Sequence, residues 1–315
     1  MTALQLHLVT PLLKHGRLSS MLGKQILLKM ENLQASGSFK LRGIGSLCQR
    51  AAVRGASRLV CPSGGNAGFA AAVAGAALGV RTTILVPQTT PESVRQKIRA
   101  IGAEVIVYGG VWDETNEEAL RMCDEPGVEY VPPFDHPDIW DGNASLIDEA
   151  VEQSRALHCG FDAVVCSVGG GGLLCGVLEG LHRNGLARVP VIAVETEGAA
   201  SLHQSIRAGA MITLPAITSI ATTLGAKRVA QTAFDWRRRH DLRSITVSDA
   251  QAVDACLQFA DDTRSLVEPA CGAALAVAYQ NLPALAEFSR PLIVVCGGIG
   301  VDLAKLEAWK IQFRL

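Results

Sequence analysis

The sequence has no surplus of charge of either sign: 29 basic residues stand against 30 acidic ones, a net charge of −1. Such a balance recruits neither nucleic acid nor an anionic membrane surface, and it points to a small-molecule partner. The single basic run, RRRH at 237–240, has no second basic stripe beside it and reads as a solvated helix end. Long apolar runs are missing as well. No segment reaches the roughly 18 uncharged apolar residues of a membrane span. The N-terminal MTALQLHLVTPLLKHGRL also lacks the uninterrupted apolar stretch of a secretory signal. The histidines offer no H-E-x-x-H or related spacing, which leaves a transition-metal site without support. Cysteine is not scarce, but its pairing rhythm is absent: there are nine, an odd number, with no C-x-x-C among them. Reduced thiols follow, and with them a soluble cytoplasmic protein.

What is present is alternation. Short β-rich runs, ILLKM (26–30), RLVC (58–61), RTTILV (81–86), EVIVY (104–108), AVVCSV (163–168), VPVIAVE (189–195), SITV (244–247) and PLIVVC (291–296), are separated by stretches of helical length and period such as AGFAAAVAGAALG. This pattern predicts an α/β fold of open, twisted, mostly parallel sheets flanked by helices. The strands fall into two groups on either side of YVPPFDHPDIWDG (130–142), where prolines interrupt the pattern. The predicted organisation is therefore two domains: a small βαβ domain over 35–135, and a large one built from 1–34 and 136–315. The chain of 315 residues is long enough for both.

In such sheets ligands bind outside the carboxyl ends of the strands. Four loops there carry chemistry: SGSFK (36–40), SGGNAG (63–68), GGGG (169–172) and CGGIG (296–300). The tetraglycine runs from a buried strand straight into the helical pattern LLCGVLEGL, so its N–H groups converge at a helix N-terminus, a cradle for phosphate. It matches neither G-x-G-x-x-G nor the P-loop, which ends in G-K-[ST]. Glu195, at the end of the next strand, has the position of a ribose-binding acid and keeps a nicotinamide oxidoreductase open. For Asn66, ahead of AGFAAAV, a helix N-cap is the ordinary reading. Lys40, in a loop of small residues, fits a Schiff-base lysine if the phosphate belongs to pyridoxal phosphate.

The stretches SGSFKLRGIG, SGGNAG, PPFDHPDIWDG, SVGGGGLLCG, EPACGAALA and VVCGG, in this order along nearly the whole chain, resemble the fold type II pyridoxal-phosphate enzymes. Within them the likeness is to the serine dehydratase type of L-serine/L-threonine dehydratase. The resemblance implies a tryptophan synthase β-like fold, pyridoxal 5′-phosphate as cofactor and a homodimer. It implies Lys40 as cofactor-binding lysine and base, Phe39 against the pyridine ring, and Gly169, Gly170, Gly171, Gly172 and Leu173 as phosphate donors. Asn66 would bond the cofactor's 3′ oxygen, and Cys296 would stand at the pyridine nitrogen. As a neutral thiol, Cys296 weakens the electron sink and favours elimination over transamination. Ser63, Gly64, Gly65, Asn66 and Ala67 would hold the substrate carboxylate. A monovalent cation, potassium, would lie among Glu195, Ser201 and the carbonyls of Gly169, Ala199, Leu224 and Ala226.

Related racemases carry a second serine where this chain has Gly64, and relatives continue with a polar residue and asparagine where it has Ile299 and Gly300. The expected reaction is conversion of L-serine to pyruvate and L-threonine to 2-oxobutyrate, each with ammonia. A β-replacement enzyme of the cysteine synthase type, a serine racemase and a catalytically silent binding protein are the other readings.

Overall fold

The computed structural model describes residues 5–315. Its elements alternate as the pattern predicts. The first half holds β1 (Leu12–Lys14), α1 (Gly16–Leu22), β2 (Leu27–Lys29), α2 (Lys40–Val53), β3 (Arg58–Cys61), α3 (Asn66–Leu78), β4 (Arg81–Val86), α4 (Glu92–Ala100), β5 (Glu104–Val107), α5 (Trp112–Met122) and β6 (Val128–Tyr130). The second half holds α6 (Pro137–Ala156), β7 (Ala163–Ser167), α7 (Gly172–Arg183), β8 (Val191–Thr196), α8 (Ser201–Ala208), α9 (Gln231–Asp235), β9 (Leu242–Val247), α10 (Asp249–Thr263), α11 (Pro269–Tyr279), β10 (Pro291–Val294) and α12 (Leu303–Phe313).

Ten strands form two sheets. One is six-stranded in the order β1-β2-β10-β7-β8-β9, and the other is four-stranded in the order β5-β4-β3-β6. Every pairing is parallel except β1 with β2, an antiparallel edge. β1 and β6 are strands that the periodicity does not reveal. Each is three residues long, too short to display a period, and β6 (VEY) has no fully buried residue. The segment 130–142 is not a plain interruption either. Pro137 opens α6 at a position where the missing N–H costs nothing, and His136 accepts a bond from Asp138 N as N-cap.

The inner strands of the large sheet are covered on both faces. All residues of β7, β8 and β10 are buried, as is the whole of α11, whose sequence PACGAALAVAY is apolar on every side. The smaller sheet has its own apolar cluster with α2 and α3, built around Leu41, Ile44, Leu47, Leu59 and Ile84. Helix α6 is wedged between α2 and α7 at close quarters. A Cβ on Gly43 would come within 2.5 Å of the Ile139 carbonyl, and one on Gly142 within 2.5 Å of the Arg42 carbonyl. That approach, possible only without side chains, fixes the start of α2 against the first turns of α6.

A buried ionic network anchors the other face of α2. Arg42 donates to Glu31 at 2.7 and 2.8 Å and to Glu149 at 2.7 and 2.6 Å, and Lys29 reaches Glu149 at 2.6 Å. Two cations meet two carboxylates, so the network is neutral. Removing any one member would strand a buried charge at a cost of about 3–5 kcal/mol. The RRRH run is a solvated helix end at Arg238 and Arg239, which are exposed, but not at its two ends. Arg237 stacks 3.4 Å over Phe234, Arg239 lies 4.1 Å over Trp236, and His240 is buried, facing the Val189 carbonyl. In both pairs the ring stands three residues earlier in the chain, and Arg237 is half-buried by the contact while Arg239 stays exposed. Among the described residues, no helix is long and apolar enough to cross a membrane. All nine cysteines are unpaired.

Candidate active site

Three parallel strands end at one cleft. From β3 the chain runs through Ser63–Gly65 into α3, from β7 through Val168–Gly171 into α7, and from β10 into Cys296–Gly300. The cleft is lined by Lys40, Asn66, Gly169–Gly172, Glu268 and Cys296, with the rings of Phe39 and Phe134 among its walls. Lys40 and Glu268 are the charged side chains of this lining.

Lys40 is the first residue of α2, and its ammonium donates to the Pro133 carbonyl. It stays partly accessible along the cleft, yet protein crowds it closely enough that desolvation lowers its pKa to about 8. Cys61, Cys296 and Glu268 oppose the shift without cancelling it. Its place at a helix N-terminus works in the same direction as burial.

The glycine loop has the form of an anion cradle. Gly171 has φ +94°, a conformation that L side chains rarely adopt, and it serves as N-cap of α7. A Cβ on Gly170 would stand 2.3 Å from the ring of Phe134. Among the described residues, none of the N–H groups from Gly169 to Leu173 meets a protein acceptor, while the flanking carbonyls are occupied. Gly170 O accepts from Ala230 N at 3.0 Å, and Gly172 O from Asn143 Nδ2 at 3.0 Å. Donors are thus left free while the carbonyls of Gly170 and Gly172 are taken, a pattern that suits a phosphate.

The first turn of α3 repeats the pattern, with no acceptor among the described residues for the N–H groups of Asn66, Ala67 and Gly68. Gly65, not Asn66, is the N-cap, and no side chain caps this helix. The ordinary reading of Asn66 is therefore replaced. Its side chain turns away from its own helix, its Nδ2 donating to Glu268 Oε1 at 2.7 Å and its Oδ1 accepting from Ile299 N at 3.0 Å. Ser63, Gly64, Gly65 and Ala67 do not line the cleft as Asn66 does. The Ser63 hydroxyl folds back to accept from Gly65 N at 3.2 Å.

Cys296 is buried beyond the end of β10, beside Cys271. A hydrogen bond with that thiol, followed by burial, holds Cys296 well above the ordinary thiol range, so it is a neutral group.

Glu195 is fully buried. Both of its oxygens accept N–H groups from the first turn of α8, Leu202 at 2.9 Å and His203 at 2.6 Å, which leaves no room for a ribose role. Burial still raises its pKa to about 8, and the neighbouring Ser201 hydroxyl is buried without a partner. Gly169 packs directly against Leu224, whereas the Leu224 carbonyl already accepts from Ala226 N at 2.8 Å. Among the described residues, no group of three or more His, Cys, Asp or Glu side chains is placed to hold a metal ion.

Several residues of the site carry no sequence signal of their own. Glu268 and Phe134 lie in stretches that support the family likeness but bear no motif chemistry. Thr223 sits in a single turn of 3-10 helix, Thr222–Leu224, and the Ser167 hydroxyl is buried without a partner at the cleft.

The family profile described as "Pyridoxal-phosphate dependent enzyme" matches residues 3–297. A human protein named "Serine dehydratase-like" is 47% identical over 312 residues, covering 96% of this chain and 94% of its own. The human "L-serine dehydratase/L-threonine deaminase" is 46% identical over 319 residues, 98% of this chain and 96% of its own. Among solved structures, a fungal L-serine ammonia-lyase from Rhizomucor miehei superposes with a TM-score of 0.91 at 37% identity, covering 98% of this chain and 99% of its own. With a cradle of free N–H groups facing a desolvated lysine, and relatives matched over nearly their whole length, this chain belongs to the family of pyridoxal-phosphate dependent enzymes.

Proposed function

We propose that the chain deaminates L-serine to pyruvate and L-threonine to 2-oxobutyrate, each with release of ammonia, by α,β-elimination. The observation that carries this reading is the placement of Lys40 in one cleft with the unpaired backbone donors of Gly169–Leu173, and with Asn66, which opens a second set of such donors in the first turn of α3. The names of the full-length relatives support it. In this reading the glycine loop holds the phosphate of pyridoxal phosphate, Phe39 packs on its ring and Cys296 faces the pyridine nitrogen. The bound cofactor supplies an electron sink for charge developing at the substrate Cα.

The protein's own groups do the rest. Lys40, with its pKa brought down to about 8, has a neutral fraction large enough to take the Cα proton near neutral pH. The N–H groups of Asn66, Ala67 and Gly68, with the Ser63–Gly65 loop before them, hold the substrate carboxylate at the positive end of α3. Cys296, kept neutral, donates no charge to the ring and leaves loss of the β-hydroxyl as the favoured outcome.

The reading also includes potassium beside Glu195 and Ser201, with carbonyls of Gly169, Ala199, Leu224 and Ala226. A buried carboxylate raised to about 8 and an unpartnered hydroxyl suit a weakly hydrated cation. A cytoplasmic homodimer completes it. Nine free thiols fit a reducing compartment, and sedimentation tests the dimer.

The deciding experiment follows pyruvate and ammonia from L-serine in the presence of pyridoxal phosphate. Turnover without sulfide is expected. A requirement for an acylated serine and sulfide would replace elimination by β-replacement.

A further inference from the structure

Glu268 is buried at the N-terminus of α11, yet its side chain does not cap that helix. It turns into the cleft, where the backbone leaves room for it. A Cβ on Gly298 would overlap the Glu268 carboxyl carbon at 1.9 Å. There the carboxyl accepts three hydrogen bonds and donates none. Asn66 Nδ2 and Thr223 Oγ1 reach Oε1 at 2.7 and 2.5 Å, and Gly300 N reaches Oε2 at 3.0 Å. Burial pushes its pKa up, while these three donors and the nearby Lys40 charge act against the rise. An acceptor-only role is that of an ionised carboxylate.

The partners come from different parts of the fold. Asn66 opens α3, which packs on the four-stranded sheet. Glu268 precedes α11, and Ile299 and Gly300 follow β10, a strand of the six-stranded sheet. Ile299 adds an apolar contact in the same direction, since its side chain packs against the cluster of the smaller sheet. At the two positions where this chain departs from its relatives, the polar contacts are made by main-chain N–H groups and do not depend on the side chain.

An amide can present either its oxygen or its nitrogen to a ligand, and nothing within Asn66 selects between them. The neighbours do. Ile299 N requires an acceptor on one side, and the Glu268 carboxylate requires a donor on the other. With Oδ1 facing Ile299 and one Nδ2 hydrogen facing Glu268, the second Nδ2 hydrogen has no protein acceptor among the described residues, and Asn66 lines the cleft. We propose that Glu268 is a positioning residue that orients the Asn66 amide across the cleft, so that its free N–H is presented to the anionic ring oxygen of the cofactor. This inference rests on the cofactor reading given above.

Pyridoxal phosphate dissociation constants of the wild type, Glu268→Gln, Asn66→Ala and the double variant, with melting curves of the cofactor-free proteins, test it. The isosteric Glu268→Gln change removes the charge and sets an amide N–H against at least one of three donors, which weakens the hold on the Asn66 amide. Affinity should fall about tenfold or more, the scale of a hydrogen bond to a charged group. In the Asn66→Ala background the same change should matter less than about twofold, because the residue it acts through is gone. A swapped pair, Asn66→Asp with Glu268→Gln, restores a bond across the cleft but leaves no N–H at position 66. Its melting temperature should recover relative to Glu268→Gln while its cofactor affinity does not.

An unchanged affinity in Glu268→Gln, losses that multiply in the double variant, or recovered affinity in the swapped pair would each overturn the proposal. Should Glu268→Gln fail to fold, the swapped pair still reports. Failure of the wild type to take up cofactor would instead overturn the reading of the site itself.

Discussion

Lys40 must be neutral to attack a carbonyl carbon or accept a proton, and its surroundings act against its charge. Burial lowers its pKa from 10.5 to about 8. A drop of this size raises the neutral fraction at pH 7 from about one in three thousand to about one in ten, roughly 300-fold. Uptake of pyridoxal phosphate by the cofactor-free protein, followed by its visible absorption in a stopped-flow instrument, depends on that fraction because only the neutral amine is nucleophilic. The rate should rise with pH as a one-proton curve with a midpoint near 8.

The same shift has a stability consequence. Between pH 8 and 10.5 the unfolded chain still holds the proton that folded Lys40 has released, so stability should increase with pH across that window. Below it, the folded protein carries the full cost of a desolvated ammonium. Lys40→Met should therefore melt above the cofactor-free wild type below pH 8, and the difference should close toward pH 10.5. An uptake midpoint above pH 10, together with no stabilisation in Lys40→Met, would show that the ammonium is solvated and refute the argument.

Gly170→Val and Gly171→Val should weaken cofactor binding by about tenfold to hundredfold, since one drives a side chain into Phe134 and the other strains a left-handed residue. Arg183→Ala, at a surface ion pair with Asp141 and Asp148, should leave it unchanged, and equal occupancy in all three after dialysis would reduce the loop to a turn. Potassium chloride should raise the melting temperature over choline chloride at pH 9 more than at pH 6, because a proton competes for the Glu195 carboxyl, which burial raises to about 8. Equal shifts at both pH values would remove Glu195 from the cation site. The unmodified enzyme should form pyruvate from L-serine with little D-serine, since Gly64 offers no proton donor, and Gly64→Ser should gain D-serine formation. A Cβ there would stand 3.0 Å from Thr90 Cγ2 and 3.1 Å from Val86 Cγ1, so Thr90→Ser is the companion that makes room. Comparable initial rates of D-serine and pyruvate from the unmodified enzyme would contradict this assignment.

The parallel α/β architecture and the main parts of the site were legible in the sequence because each rests on a local property. Buried strands such as AVVCS and PLIV are runs of apolar residues, and helices between them have their own period. Four glycines between a strand and a helix leave backbone donors free wherever the helix goes, and Lys40 is conspicuous among small residues. Tertiary structure decided what depends on groups distant in the chain. Nothing in ILLKM marks Lys29 as fully buried, since its charge is neutralised by Glu149, 120 residues away. The stacking of Arg237 and Arg239 and the capping of α8 by Glu195 likewise appear only once side-chain directions are known. Glu268 is the clearest case. It stands 202 residues from Asn66, and its meaning lies in an amide with one N–H left free, a carboxylate and two backbone donors meeting at the wall of the cleft. A buried carboxyl tolerates that place only with both of its oxygens hydrogen-bonded, and the donors come from three segments that the fold alone brings together.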